Sequence, residues 1–306
     1  MGGREVKGRL MLLATVLAAI AVTVATTVVL LLVEPNAPRS EAVRTGALSG
    51  GAVVALYALW LNDRRRRIEE SRHELEGDKV ADERFARSVE LLGNEADQVR
   101  VGALHSLVWL AGSTPRYKQT VLDVLCAYLR RPFQHPELSD DPASPHTAAA
   151  SDPDADRERE VRLTAQRLIA DVLPWGQDQD DGVYHLDLSG ARLEHFRLEG
   201  RRIGRLVARR ARFHGVTQLR LLEAAKPVLF TDASFAGRLD LREAQLRGGV
   251  SFQRTRFADE VVLDRAAVST FLDLSTTAPA GQNGTLLVEP QTRIDGEVDG
   301  WALAAP

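Results

Sequence analysis

From Leu188 onward an apolar residue recurs every five positions: Leu188, Leu193, Leu198, Ile203, Ala208 and Phe213. A period of five suits neither an α-helix nor a flat strand, whose side-chain periods are about 3.6 and 2.0. It does suit a chain that turns a corner every five residues, with inward positions separated by solvated ones. Four such sides close a coil, and stacked coils bury a continuous core that no coil could bury alone. After an interruption over 215–226 the pattern returns at Phe235, Leu241, Leu246, Phe252, Phe257, Leu263, Val268 and Leu274, with steps that alternate six and five, a period of eleven. The residue two before each of these centres is small or apolar: Ala233, Leu239, Ala244, Val250, Thr255, Val261, Ala266 and Leu272.

The segments DLSGARLEH, ARFHG, ASFAG, AQLRG and TRFAD carry an A-x-[LF]-x-x pattern that resembles the pentapeptide-repeat family, and the eleven-residue variant resembles its FxGxVxFxxAxF subclass. The resemblance implies a right-handed quadrilateral β-helix, expected here over 183–277. Phe196 and Arg201 depart from the pattern, standing where a small inward residue is expected, and Ala208 is a weak centre. The coil over 196–210 is therefore expected to bulge or to lie against another surface. Residues 278–306 carry no repeat and are expected to form a tail or a cap over the open end, which would otherwise be a bare sheet edge.

At the other end of the chain, 10–33 holds no charged residue, and its only polar side chains are Thr15, Thr23, Thr26 and Thr27. A second uncharged run, 45–61, closes on Tyr57 and Trp60, aromatics that favour a membrane interface. Between them Glu34-Pro35-Asn36-Ala37-Pro38 breaks helix. These features predict a two-helix transmembrane hairpin within 1–62. A cleaved signal peptide is the rival reading, since Arg4, Lys7 and Arg9 form a basic leader, but the apolar stretch is long and Pro38 is a poor cleavage context. Arg64, Arg65, Arg66 and Arg67 open a basic juxtamembrane segment, 63–78, while the loop between the runs has only Arg39 and Arg44. Positive-inside bias then places both termini in the cytosol, at the cytoplasmic membrane. The four arginines are candidate contacts for anionic headgroups. Gly46, Gly50 and Gly51 allow close helix packing, in this hairpin or between chains, so self-association stays open.

The middle of the chain reads as a small all-α domain over 79–138. One helix is expected from Asp82 to about Gly93, a second after Asp97 ending at Gly112, and a third after Thr114-Pro115 that stops at Arg131-Pro132. Residues 139–155, SDDPASPHTAAASDPDA, cannot bury apolar surface and are expected to form a disordered linker. A last helix, 156–174, precedes the solenoid. ERFARSVELLGNEADQVRVGALHSLVWLA and REVRLTAQRLIADVLP are also similar to the helical region of actinobacterial membrane-anchored pentapeptide-repeat proteins.

Functional signals are sparse. His135, Asp140, Asp141 and His146 invite a metal reading, but they match no ligand spacing and a solvated linker explains them. The single cysteine, Cys126, lies on an apolar helix face beside Leu122 and Leu125 and reads as a core thiol. No HExxH, GxSxG, Walker or GxGxxG pattern is present, so neither an enzyme nor a cofactor is expected. The best-understood members of the resembled family protect DNA gyrase by imitating DNA with an acidic rod. Here RRIGRLVARRAR puts six arginines in twelve residues, the wrong sign for that role. The chain is expected to be a membrane-anchored, non-catalytic module that displays its β-helix to a cytosolic protein. The alternative is phosphate recognition, of anionic lipid or nucleic acid, by Arg201, Arg202, Arg205, Arg209 and Arg210. Nucleic acid is the less favoured of the two, since no aromatic stacking partners are interleaved.

Overall fold

The computed structural model describes residues 2–33, 39–138, 152–298 and 300–305. The chain divides into two units, Met1–Val80 and Ala81–Pro306.

In the first unit, α1 (Gly2–Val33) and the leading part of α2 (Arg39–Leu91) are the two helices. They meet at Gly50, where a Cβ would collide with Thr23 Oγ1 and lie 3.1 Å from the Ala19 carbonyl oxygen. Only glycine permits that approach. The threonines of α1 bond to their own helix: Thr23 donates to the Ala19 carbonyl at 2.8 Å and Thr27 to that of Thr23 at 2.8 Å. Neither hydroxyl therefore asks for water. Leu17, Ile20, Val24, Leu32, Leu48, Leu56 and Leu59 are each more than half exposed. Among the described residues one stretch, Val43–Arg64, is long and apolar enough to cross a membrane, and Ala14–Val29 is a shorter apolar helix. The expected pair of spans, 10–33 and 45–61, thus corresponds to one helix of spanning length and one shorter. The polar turn expected over 34–38 lies outside the described residues.

The helix start expected at Asp82 is not observed, because α2 already contains that residue. The sequence before it, RRRRIEESRHELEGDKVA, is rich in Arg and Glu, good helix formers whose only weak point is Gly77. In the second unit α2 ends at Leu91 and is followed by α3 (Asp97–Ser113), a 3₁₀ turn (Pro115–Tyr117) and α4 (Lys118–Arg130), close to the expected bounds. Then α5 (Pro153–Val172) begins three residues earlier than expected. Asp152 caps it, its carboxylate accepting from the Asp154 amide at 3.1 Å, and Pro153 sits in the first turn, where its missing N–H costs nothing. The rest of the expected linker, 139–151, lies outside the described residues. The side chain of Arg162 on α5 is buried and donates to the carbonyls of Leu129, Tyr128 and Arg131, the last turn of α4. Those carbonyls have no partner within their own helix.

After Val172 the chain winds into a parallel β-solenoid of about five turns built from four sheets. The first sheet stacks Leu186–Asp187, Leu206–Val207, Val228–Leu229, Val250–Ser251, Phe271–Asp273 and Arg293–Asp295. The second stacks Arg192–Glu194, Arg212–His214, Ser234–Phe235 and Arg256–Phe257. The third holds Thr217–Gln218, Leu239–Asp240, Glu260–Val262 and Gly281–Asn283. The fourth runs from Arg202–Ile203 through Glu223–Ala224, Gln245–Leu246, Ala267–Val268 and Leu286–Val288 to Leu303–Ala304. Register follows the sequence periods. Leu186 pairs with Leu206, four sides of five, whereas Leu206, Val228, Val250 and Leu272 pair in succession, two elevens apart.

Two expectations are corrected. The interruption over 215–226 is not a structural break: Leu219, Leu222 and Ala224 are buried, and the alternation of six and five already starts at Phe213. Thr217 and Ala224 occupy inward positions with side chains too polar or too small to register as a pattern. The solenoid also passes residue 277. Four further strands between Gly281 and Ala304 pair onto the preceding coils, and Trp301 is buried beneath them.

Aromatic side chains fill the core. Phe213 stacks on Phe235 at 4.5 Å and Phe235 on Phe257 at 5.4 Å, while Phe230 stacks on Phe252 at 5.6 Å. Edge contacts join the two columns, Phe196 begins the stack against Phe213, and Trp301 closes it against Phe252 and Phe257. Phe196 is thus a large inward residue accommodated by the stack rather than a bulge. Corners take left-handed backbone at Arg210, Leu221, Asp232, Glu243, Arg254, Arg265 and Thr276, one in every eleven residues and none of them glycine. Each left-handed non-glycine residue costs about 1 kcal/mol, least for Asn and Asp.

Phe213→Ala, at the centre of the stack, is expected to cost about 3–5 kcal/mol in denaturant unfolding. Leu221→Asn is expected to stabilise by up to about 1 kcal/mol, because Leu221 is exposed and at φ 57. Loss of stability in that variant would contradict the strain at the corners.

Candidate interaction surface

A solenoid's first coil exposes one edge of every sheet, and here α4 and α5 lie against the first strands of the first and second sheets, while the turn after α5 lies against the start of the fourth. Gln119 on α4 reads the backbone of His185 in both directions: its Oε1 accepts from the His185 amide at 2.8 Å and its Nε2 donates to the His185 carbonyl at 2.9 Å. Gln166 on α5 accepts from the Glu194 amide at 3.1 Å. The two glutamines thus take the place of neighbouring strands. Around them, Arg159 grips Glu194, Lys118 pairs with Asp180 and Arg130 with Asp187. Cys126 lies in the same seam, and burial pushes its thiol up to about 12, so it is an inert core group.

Of the five arginines singled out in the sequence, Arg201 and Arg202 belong to this seam. Arg201 lies 4.1 Å from the centre of the Trp175 ring and donates to the Leu173 carbonyl at 2.9 Å. Arg202 donates to the carbonyls of Asp178 and Asp180. The surface that the irregular coil was expected to need is therefore the end of α5 and the turn after it. Arg205, Arg209 and Arg210 are exposed; Arg205 follows the fourth sheet, whereas Arg209 and Arg210 form a corner between the first and second. The set does not converge on one point. Of the four arginines that follow the second apolar run, Arg64 stacks on Trp60 at 5.2 Å and Arg66 is exposed, while the side chains of Arg65 and Arg67 lie outside the described residues.

The seam carries a cleft of about 500 Å³ lined by Lys118 and Arg201 against Asp171, Asp178 and Asp180, together with Trp175. Its charges are largely committed to one another. Burial alone would raise the Asp180 carboxyl, but hydrogen bonds from Lys118, the Gly182 amide and Tyr184 outweigh it and hold it low. Burial and the charge of Asp180 push the Tyr184 hydroxyl up to about 12. His135 is buried, with its Nε2 2.9 Å from Asp156 and its Nδ1 accepting from the Glu137 amide, a structural arrangement. Asp140, Asp141 and His146 lie outside the described residues. Among the described residues no three His, Cys, Asp or Glu side chains are grouped to hold a metal ion.

Sequence reasoning missed Gln119, Gln166, Arg159 and Trp175. Isolated glutamines and arginines on amphipathic helices carry no periodic signal. The misfit of Arg201 was the one pointer to a partner surface. No protein-family model, no curated protein and no solved structure matches the chain.

The hydrogen bond from Arg159 holds the Glu194 carboxyl below the usual range, so this pair contributes stability above the ordinary glutamate value of 4.5 that is lost as pH falls through the folded value. Glu194→Gln is expected to cost about 1 kcal/mol at pH 7 and much less at pH 3, read by thermal denaturation. An equal cost at both pH values would show that the charge is not what binds α5 to the solenoid.

Proposed function

We propose that the chain is a membrane-anchored pentapeptide-repeat protein that presents its β-solenoid as a rigid, non-catalytic surface for binding another protein. The observation that carries this reading is the filled interior. An unbroken stack of aromatic rings from Phe196 to Trp301 leaves no room for a substrate inside the coils, so the outer surface is what remains to act. Stacked coils give that surface a fixed shape, which lowers the ordering cost of binding. The anchor is supported by the outward apolar side chains of α1 and α2, which water covers only at a cost of about 25 cal/mol per Å². Hydrophobic length favours Val43–Arg64 as a span; Leu10–Val33, uncharged throughout, is the second. Lys and Arg placement favours cytosolic termini at the cytoplasmic membrane of a bacterium.

Topology reporters fused after residue 306 are expected to report cytosol, and a signal from the opposite side would overturn the in–out–in arrangement. Crosslinking and affinity capture from native membranes are expected to recover a defined protein. Recovery of nothing beyond lipid would remove the interaction reading while leaving the anchor in place.

A further inference from the structure

Among the contacts that fasten α4 to the first coil, those of one residue work from both its backbone and its side chain. His185 is half-buried in the turn before the first strand. Gln119 of α4 holds its amide and carbonyl at 2.8 and 2.9 Å. Its imidazole points the other way, where Nδ1 accepts the Arg205 amide at 3.0 Å. The flanking residues complete the corner: the Tyr184 carbonyl accepts from the Gly204 amide at 2.6 Å, and the Leu186 amide donates to the Arg205 carbonyl at 2.8 Å. With Leu206 in register with Val228, the position one coil on from Arg205 is Pro227, which has no N–H to satisfy. At Arg205 the amide does need an acceptor, and the histidine ring supplies it.

That bond fixes the state of the ring. Its partner is a donor, so Nδ1 is bare and the single proton of the neutral imidazole sits on Nε2. A second proton enters only at Nδ1, where it would set two N–H groups head to head. The ring also packs against Gly204, where a Cβ would collide with it and with Val183. Burial is the largest influence on its titration and keeps the proton off; Lys226 and Arg205 on the solenoid side add to that, and Asp123 on α4 opposes them. The other charges around the corner are matched among themselves, Lys118 with Asp180 and Arg130 with Asp187. The folded protein thus holds His185 below the ordinary histidine value of 6.5. Its neutral form contributes stability above that value, which is lost as pH falls through the folded one.

We propose that His185 is a proton-sensitive joint that holds the first coil to α4 when neutral and opens this corner when protonated. The opening is local, because Gln166 and Arg159 fasten α5 to the second sheet without involving His185. Other histidines do not serve the same end. His135 also accepts an amide through Nδ1, but from Glu137 two residues on, a bond that joins no helix to the solenoid. The proposal goes beyond the scaffold reading and does not depend on it, since it concerns the attachment of the helices and no partner.

The test is hydrogen–deuterium exchange on the full-length protein in nanodiscs, at pH 7.5 and pH 5, corrected for the intrinsic rate. The amides of His185 and Arg205 are expected to exchange at least threefold faster at the lower pH, while those of later coils, such as Phe230 and Phe252, do not change. In H185N the side-chain oxygen takes the place of Nδ1 and does not titrate, so the acid response is expected to vanish with protection retained. K226Q removes a cation that keeps the proton off, and its response is expected to begin at higher pH than in the wild type. Equal protection of the wild-type corner at both pH values would overturn the proposal, as would a wild-type response in H185N, which would assign the proton to another group. A response shared by all coils would show global unfolding and overturn it too. Should H185N fail to hold the corner at either pH, K226Q decides alone, and an unshifted response there would overturn the joint.

Discussion

A coil of a β-solenoid is never complete by itself: its sheets have two raw edges and its core two open ends. Everything else in the second unit follows from how those ends are closed. At the start, α4 and α5 lie across the first coil, and Gln119 and Gln166 take up backbone groups that a preceding strand would have taken. At the finish, Trp301 lies against Phe252 and Phe257 and closes the aromatic stack. One continuous set of buried residues runs from Leu104 and Leu125 in the helices to Leu286 and Trp301 in the last coils. The helices are therefore an end-piece of the solenoid and not a separate domain joined to it. The buried Arg162 serves the same end one level down, closing α4 so that its last carbonyls are not left open in that shared core.

Charge on the outer surface is paired in two ways. Arg220, Arg247, Arg254 and Arg265 find a carboxylate about one coil away, and Arg197, Arg242 and Arg293 find one two residues along the same coil; such pairs contribute modestly. Composition alone conceals where these pairs form. A run such as RRIGRLVARRAR looks like one basic patch in the sequence, yet folding sends its arginines to different sides. Arg201 and Arg202 hold carbonyls in the seam, and Arg212 joins Arg192 in the second sheet. Linear clustering and spatial clustering are unrelated in a chain that turns every five residues.

The solenoid was legible because its core is periodic: Leu188, Leu193, Leu198 and Ile203 recur at a spacing that only a cornered coil satisfies, and all four are buried. Where an inward residue is small or polar, as at Thr217 and Ala224, the period vanishes from the sequence although the coil persists. The last coil was illegible for a related reason. From Leu286 to Leu303 it is shorter than its predecessors, so no fixed spacing marks it. Helix ends with strong signals were readable, Pro132 after α4 among them, whereas the false start at Asp82 shows that a good cap residue inside a strong helix-forming stretch does not begin a new helix. Of the seam only the misfit of Arg201 was legible, since Gln119 and Gln166 gain their meaning only from backbone more than twenty residues away.

The constancy of the coil has a consequence for how such a chain reaches its folded state. The stacked rings of Phe213, Phe235 and Phe257, those of Phe230 and Phe252, and ion pairs such as Arg265–Glu243 each join residues about one coil apart, so every turn before the last closes a loop of nearly the same length. The entropy of closure is then a constant per turn rather than a cost that mounts with the size of the structure. The helical end-piece covers the first coil and Trp301 packs against the last phenylalanine rings, so each turn between them lies against a neighbour on both sides.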